Sequence, residues 1–145
     1  EDTIIHGLES SSDELVGLFD GRPSDEPIWD SVEAATVEFL SDPDRNLIAV
    51  GTLGKIIAES PALMARAQLH HETIGRRVAA AVAQRTGTDA DSDLYPNLLS
   101  MCVGAAVCAA IEMSVTEAGA SKTPAEWAAD AFAQIRQGLP APPRS

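Results

Sequence analysis

The sequence has few cysteines and few aromatic residues. Two cysteines occur among 145 residues, and aromatic residues make up 4% of the chain. Cys102 and Cys108 are six positions apart in one apolar run, and a helix would point them to different faces. This excludes a disulfide framework, and a chain of this length buries enough surface to fold as one domain without it.

Basic residues are also scarce. Ten lysines and arginines stand against 22 acidic residues, a formal net charge of −12. Such a chain repels phosphate backbones, so these residues are not expected to bind nucleic acid themselves. Glu1 and Asp2 occupy the place where a signal peptide would carry positive charge. We therefore expect a cytoplasmic protein.

The longest segment without a charged side chain runs from Leu94 to Ile111. Its length reaches the threshold for a membrane span, but Pro96, Asn97, Ser100 and the alanines contribute little transfer energy. Clusters of lysine and arginine, which would set the orientation of a membrane span, do not flank it. The run predicts instead a helix of small residues that packs on all sides, and no membrane partner.

Apolar residues recur at helical spacing along the chain, without the alternation of strands. Ser60 and Pro61 predict a helix start and Gly87 a helix stop, and Thr123 with Glu126 predicts a capping box. The fold class is all-α, with about six helices. The predicted helices cover residues 2–19, 28–40, 47–58, 61–86, 93–118 and 124–137.

Catalytic and metal motifs are not apparent. Gly51, Gly54 and Lys55 do not complete a phosphate-binding loop. Adjacent His70 and His71 point about 100° apart on a helix, so they do not form a metal pair. We predict no catalytic residue, no metal site and no cofactor, because an enzyme would need a nucleophile, a metal set or a carboxylate pair.

Two polar residues share apolar stripes. His70 lies on the stripe of Leu63, Ala67 and Ile74, either as a hydrogen-bonded, partly buried histidine or as a contact to a ligand. Glu112 ends an apolar stripe formed by Leu94, Leu98, Met101, Ala105 and Cys108. Its carboxylate lies either at the point where the helix leaves the core or in a ligand pocket. With apolar walls from Phe39, Met64 and Met101, these two residues form the predicted ligand pocket.

The order of the segments resembles the C-terminal regulatory domain of TetR-family transcriptional repressors, in the mycofactocin-regulator-like branch. The resemblance rests on the long helix from Pro61 to Thr86, the acidic loop, the small-residue helix from Leu98 to Ala118 and the segment Thr123 to Leu139. It implies an effector pocket for a small apolar or amphipathic molecule. It also implies a homodimer in which the last two helices of each subunit form a four-helix bundle.

The resemblance further implies which residues lie at the dimer interface and how the chain is divided. The expected interface residues are Ala106, Ala110, Trp127, Ala128, Phe132 and Ile135. Residues 1–139 are the ligand-binding and dimerisation domain, and residues 140–145 are a flexible tail. Glu1 to Ile5 resemble the end of the segment that closes a helix-turn-helix domain. We expect that domain to be missing from this chain, and we expect it to make all contacts with DNA. The alternative function is a helical interaction scaffold without a ligand pocket.

Overall fold

The computed structural model describes residues 12–44, 57 and 59–143, and this part of the chain is all-helical. Within it five helices occur and no strand. The first, α1, is helical over residues 12–20. The others are α2 (Ile28–Leu40), α3 (Pro61–Thr86), α4 (Leu94–Ser114) and α5 (Pro124–Arg136). The all-α prediction is confirmed; the predicted helices over 2–11 and 47–58 lie outside the described residues, Ile57 excepted.

The two ends of α3 lie where the sequence predicts them. The Ser60 hydroxyl accepts a hydrogen bond from the backbone N–H of Leu63, and Pro61 occupies the first turn, where a missing N–H costs nothing. At the other end Gly87 adopts the left-handed conformation, φ 67°, which glycine reaches without steric strain. Local capping chemistry thus sets a 26-residue helix.

The predicted capping box of α5 is also present. The Thr123 hydroxyl accepts from the N–H of Glu126 at 3.2 Å, and the Glu126 carboxylate accepts from the N–H of Thr123 at 2.7 Å. These two bonds satisfy donors that the first turn of a helix leaves open. They fix where α5 begins after the turn from α4.

Helix α4 ends earlier than the sequence predicted, at Ser114 rather than Ala118. The Ser114 hydroxyl donates to the carbonyl of Ala110, and the Thr116 hydroxyl donates to that of Met113. Thr116 Oγ1 also accepts from the N–H of Gly119 at 3.0 Å. Side chains therefore satisfy the last carbonyls of α4 and start a turn, an alternative to helix that serine and threonine often offer.

The core lies around the inner face of α4, which packs against α5 on one flank and α3 on the other, while α2 packs against α5. The buried α4 residues are Pro96, Leu99, Ser100, Val103, Ala106 and Ala110. Ser100 donates to the carbonyl of Gly75 at 2.7 Å where α4 meets α3. Small side chains on this face let neighbouring helices approach closely, so one side of α4 is fully covered.

Arginines of α3 hold α1 against the domain. Arg77 contacts Asp13 and donates to Ser12 Oγ at 3.0 Å, at the amino-terminal end of α1. Arg85 donates to the carbonyl of Phe19 at 3.1 Å and lies 5.0 Å from the centroid of its ring. Because these guanidinium contacts lie at both ends of the described part of α1, they fix its direction along α3.

By length and composition, α4 is able to span a membrane. The core helix of a water-soluble protein passes the same test, and α4 buries one face under its neighbours. The buried hydroxyl of Ser100 on this face is satisfied by a protein carbonyl. Packing within the domain therefore accounts for the buried face of α4.

Candidate functional site

The five residues predicted to form a ligand pocket do not meet in one place. Phe39 is buried in the core, with 9% of its surface exposed. Met64 is 48% exposed and His70 half-buried, both on the amino-terminal half of α3. Met101 and Glu112 are exposed on α4, on the side opposite its buried face.

Met101 and Glu112 lie on the surface of this chain, and their place in an effector pocket stays a prediction. Met101 is 72% exposed, and Glu112 lies on the same outward side of the helix. The sequence predicts their stripe by its spacing, but an apolar helix has two faces that can each be buried. The face with Leu99, Val103 and Ala106 packs against the neighbouring helices, and the face with Met101 and Glu112 is left outside.

The inner crevice between the helices is too small for a ligand. It has a volume of about 10 Å³, against about 300–1,000 Å³ for typical small-molecule sites. It lies between α1, α2, α3 and α4 and is lined by Leu15, Val16, Phe19, Val32, Ala35, Thr36, Val78, Ala81 and Val103. This space accommodates about one water molecule, so the crevice is a packing defect rather than an effector site.

The amino-terminal half of α3 differs from its carboxy-terminal half. Its buried residues all lie between Val78 and Ala83, and residues 61–77 are half-buried or exposed. One stripe of this half carries the half-buried side chains of Leu63, Ala67, His70 and Ile74. It is a half-buried apolar stripe with one imidazole, which meets the core at Ile74, and we call it the α3 stripe.

Four of the six predicted interface residues are buried inside the single chain. Ala106 and Ala110 are each 1% exposed, and Ala128 and Phe132 are 0% exposed. They form the seam between α4 and α5, so their side chains pack against helices of the same chain, and their place at a dimer interface stays a prediction. The sequence shows that both helices need close neighbours, but periodicity does not say whether the neighbour belongs to the same chain.

The remaining two predicted interface residues are half-buried on α5. Trp127 donates from Nε1 to the carbonyl of Gly119 at 3.0 Å, and the Lys122 ammonium lies 4.8 Å from its ring centroid. Ile135 packs against the core cluster. Their main contacts lie within the chain, where they hold α5 against the turn that follows α4.

The outward side of α4 carries large apolar side chains that are exposed in this chain. Leu94, Leu98 and Met101 are 76%, 50% and 72% exposed. Ala105, Cys108 and Glu112 continue the same side and are also exposed. We call these six residues the outer stripe. A signal was present in the sequence, because the spacing of these residues places them on one side of α4.

The ionisable groups of this region do not suggest chemistry. Partial desolvation by neighbouring residues raises the pKa of the Cys108 thiol although its surface is exposed, and the Glu112 carboxylate raises it further, so the thiol is protonated at neutral pH and a poor nucleophile. Within residues 12–44, 57 and 59–143, no group of three or more histidine, cysteine or acidic side chains is arranged to hold a metal ion.

Comparison with known families gives a match over most of the chain. The profile described as the MftR C-terminal domain matches residues 26–140, from the end of the loop before α2 to the residues just after α5. No curated protein matches the sequence. The matched range includes α2 to α5 and both apolar stripes.

Proposed function

Because the chain belongs to the family of MftR C-terminal domains of TetR-type transcriptional regulators, we propose that it senses a small, mostly apolar effector and forms homodimers. Domains of this family typically dimerise and bind small-molecule effectors, and the regulators that contain them are soluble and generally non-enzymatic. The observation that carries the proposal is this family match over the four-helix body α2–α5. The proposed location is the cytoplasm.

We place the effector against the α3 stripe. The inner crevice has room for about one water molecule, whereas Leu63 and Ala67 offer half-buried apolar contact next to Ile74, which packs at the edge of the core. His70 lies between them and supplies one polar group, and Met64 is an adaptable neighbour. Of the pocket residues predicted from sequence, His70 and Met64 remain in the proposal; Phe39 belongs to the core.

The proposed mechanism is a population shift. An effector on α3 favours the arrangement of helices to which it binds more tightly, and the relative placement of the two subunits changes with it. In such regulators a helix-turn-helix domain reads the DNA major groove, and dimer geometry sets the spacing of its two recognition helices. DNA contact is assigned to that domain, since the acidic surface here repels phosphates.

The test uses an anilinonaphthalene sulfonate dye as an apolar probe and a fatty acid as competitor. We expect saturable dye binding that the fatty acid displaces. Ala67→Trp fills the α3 stripe and should weaken dye binding at least tenfold. Ala80→Trp, on the exposed side of the same helix, should leave it unchanged.

Two results would contradict the placement or the function. Equal dye affinity in both variants would show that the dye does not bind at the α3 stripe. Absence of saturable binding in the unmodified chain, with native helix content by circular dichroism, would favour the interaction-scaffold alternative instead.

A further inference from the structure

Gly75 lies in the interior of α3, at a position where its surroundings do not require glycine. Its φ is not in the left-handed region, and an added Cβ atom would lie 3.7 Å from Ser100 Oγ, an ordinary van der Waals contact. Glycine is a weaker helix former than alanine, because its backbone loses more freedom on folding. The middle of this 26-residue helix therefore holds a residue that lowers its stability without improving its packing.

The burial of α3 changes within three residues of Gly75. Its buried side chains all lie between Val78 and Ala83, whereas residues 61–77 are half-buried or exposed. Helices in proteins are stabilised mainly by packing of one face, and segments that bury little surface open at low cost. Helix α3 thus joins a carboxy-terminal half that is held in the core to an amino-terminal half that is held less tightly. We call this amino-terminal half, residues 61–74, the arm.

One hydrogen bond fixes α3 to α4 at the boundary between these halves. The Ser100 hydroxyl, on the buried face of α4, donates to the carbonyl of Gly75 at 2.7 Å. In an α-helix such a carbonyl also accepts from the backbone N–H four residues later. Helix bends occur at glycines and where another group enters the backbone hydrogen-bond ladder. Gly75 therefore combines a weak helix former with a fixed point of attachment.

The α3 stripe lies entirely on the arm. Its side chains, Leu63, Ala67, His70 and Ile74, are half-buried, and the inner crevice of the domain has a volume of about 10 Å³. A small-molecule site needs about 300–1,000 Å³. Because the crevice is far smaller than this, an effector reaches the covered side of these side chains only when the arm and the core separate.

From these observations we infer that α3 bends at Gly75, so that the arm swings away from the core and opens the effector site on the α3 stripe. The inference rests on the proposed function and supplies its regulation, because the closed arm and the open arm are the two states between which the effector selects. An effector that binds only the open state has an apparent dissociation constant that rises as that state becomes rarer. The carboxy-terminal half of α3, which contacts α1 through Arg77 and Arg85, stays in place.

The first test measures binding of the anilinonaphthalene sulfonate dye to the 145-residue chain. Gly75→Ala fits the available space and stiffens the helix at the bend, so the fold should persist while the arm opens less often. The dye dissociation constant should rise about two- to fivefold, which is the difference in helix propensity between glycine and alanine expressed as a ratio. Gly17→Ala is the matched control: it adds the same methyl group to an exposed glycine of α1 and should leave dye binding unchanged.

The second test follows amide hydrogen exchange in the absence of dye. In the unmodified chain, residues 65–74 should exchange at least about tenfold faster than residues 78–86, with the change in rate at Gly75. Gly75→Ala should slow exchange in the arm about two- to fivefold, because the straight helix becomes more stable. Gly17→Ala should leave exchange in the arm unaltered.

The outcomes separate this inference from the proposed function. Equal dye affinity in Gly75→Ala and the unmodified chain overturns the bend, while dye binding that a fatty acid displaces keeps the sensor function. Exchange rates that change smoothly from Pro61 to Thr86 also overturn the bend, because the helix then frays from its end. A step in exchange at Gly75 in a chain that binds no dye overturns the sensor function alone.

Discussion

At the residue scale, the turn between α4 and α5 depends on the absence of one side chain. A Cβ atom on Gly119 would overlap the backbone carbonyl oxygen of Met113 and would also press on Thr116 Oγ1. The Gly119 carbonyl accepts a hydrogen bond from the indole N–H of Trp127, and the backbone N–H of Gly119 donates one to Thr116 Oγ1. Glycine is required here because backbone atoms approach closely. A left-handed backbone is not the reason, since the φ of Gly119 lies outside that region.

Gly119→Ala is therefore expected to destabilise the protein by about 1–3 kcal/mol, because the turn must move to relieve the overlap. Gly17→Ala is the matched control: it lies within α1 with no atom within 4 Å of the added methyl group. That substitution should stabilise by about 0.5–1 kcal/mol, since alanine is the better helix former. Urea unfolding followed by circular dichroism measures both, and equal effects would contradict the close approach.

A second residue-scale feature is the carboxylate of Glu26 in the loop before α2. It accepts from Arg22 Nε at 2.9 Å and from Ser31 Oγ at 2.6 Å. The hydrogen bonds from Arg22 and then from Ser31 lower the pKa of Glu26 to about 2. Because the folded-state pKa is lower than the unfolded value, the charged form stabilises the fold above about pH 4.3, and this contribution is lost as the pH falls towards 2.

Glu26→Gln should flatten the loss of thermal stability between about pH 4.5 and pH 2, since the neutral amide has no proton to bind in this window. The melting temperature of the unmodified chain should fall more steeply across the same range. Glu117→Gln, at an exposed position in the turn after α4, removes the same charge as a control. Parallel pH profiles for Glu26→Gln and the unmodified chain would show that Glu26 is not the linked group.

At the scale of elements, α5 is held by contacts of unequal strength. The ring of Phe132 is fully buried and meets Trp29 of α2 edge to face, with centroids 6.5 Å apart. Arg136 at the end of α5 binds Asp30 at 2.9 Å and Glu33 at 3.1 Å, but its side chain is 39% exposed. Exposed ion pairs contribute at most about 1 kcal/mol, so aromatic burial is the main link between α2 and α5.

Phe132→Ala is expected to cost about 3–5 kcal/mol, the loss of a fully buried ring plus the cavity it leaves. Leu69→Ala removes a large side chain that is 60% exposed and should change stability by less than about 0.5 kcal/mol. Chemical denaturation monitored by tryptophan fluorescence reports both, because Trp29 contacts the ring directly. A small effect at Phe132 would mean that α2 and α5 are held mainly by the charged contacts.

At the scale of the whole molecule, charge opposes association. Each copy carries a net charge of −12, and the proposed dimer brings two such charges together. Salt screens this repulsion, since the Debye length falls from about 30 Å at 0.01 M to about 10 Å at 0.1 M ionic strength. Apolar contacts do not weaken over this range.

The dimer should therefore bind several-fold more tightly at about 0.1 M than at about 0.01 M ionic strength. Sedimentation equilibrium at both salt concentrations measures the dissociation constant. The opposite dependence, with a dimer that dissociates as salt is added, would indicate an interface held mainly by ion pairs.

The sequence by itself determined the helical class, the ends of α3 and the start of α5, because capping residues act on the backbone within a few positions. It also located the apolar repeat from Leu94 to Glu112. Which side of α4 faces inward was decided only by tertiary structure. The face with Leu99, Val103 and Ala106 packs against α3 and α5, so these residues became core and Met101 became surface. Periodicity specifies the faces of a helix, whereas the shapes of its neighbours determine which face they cover.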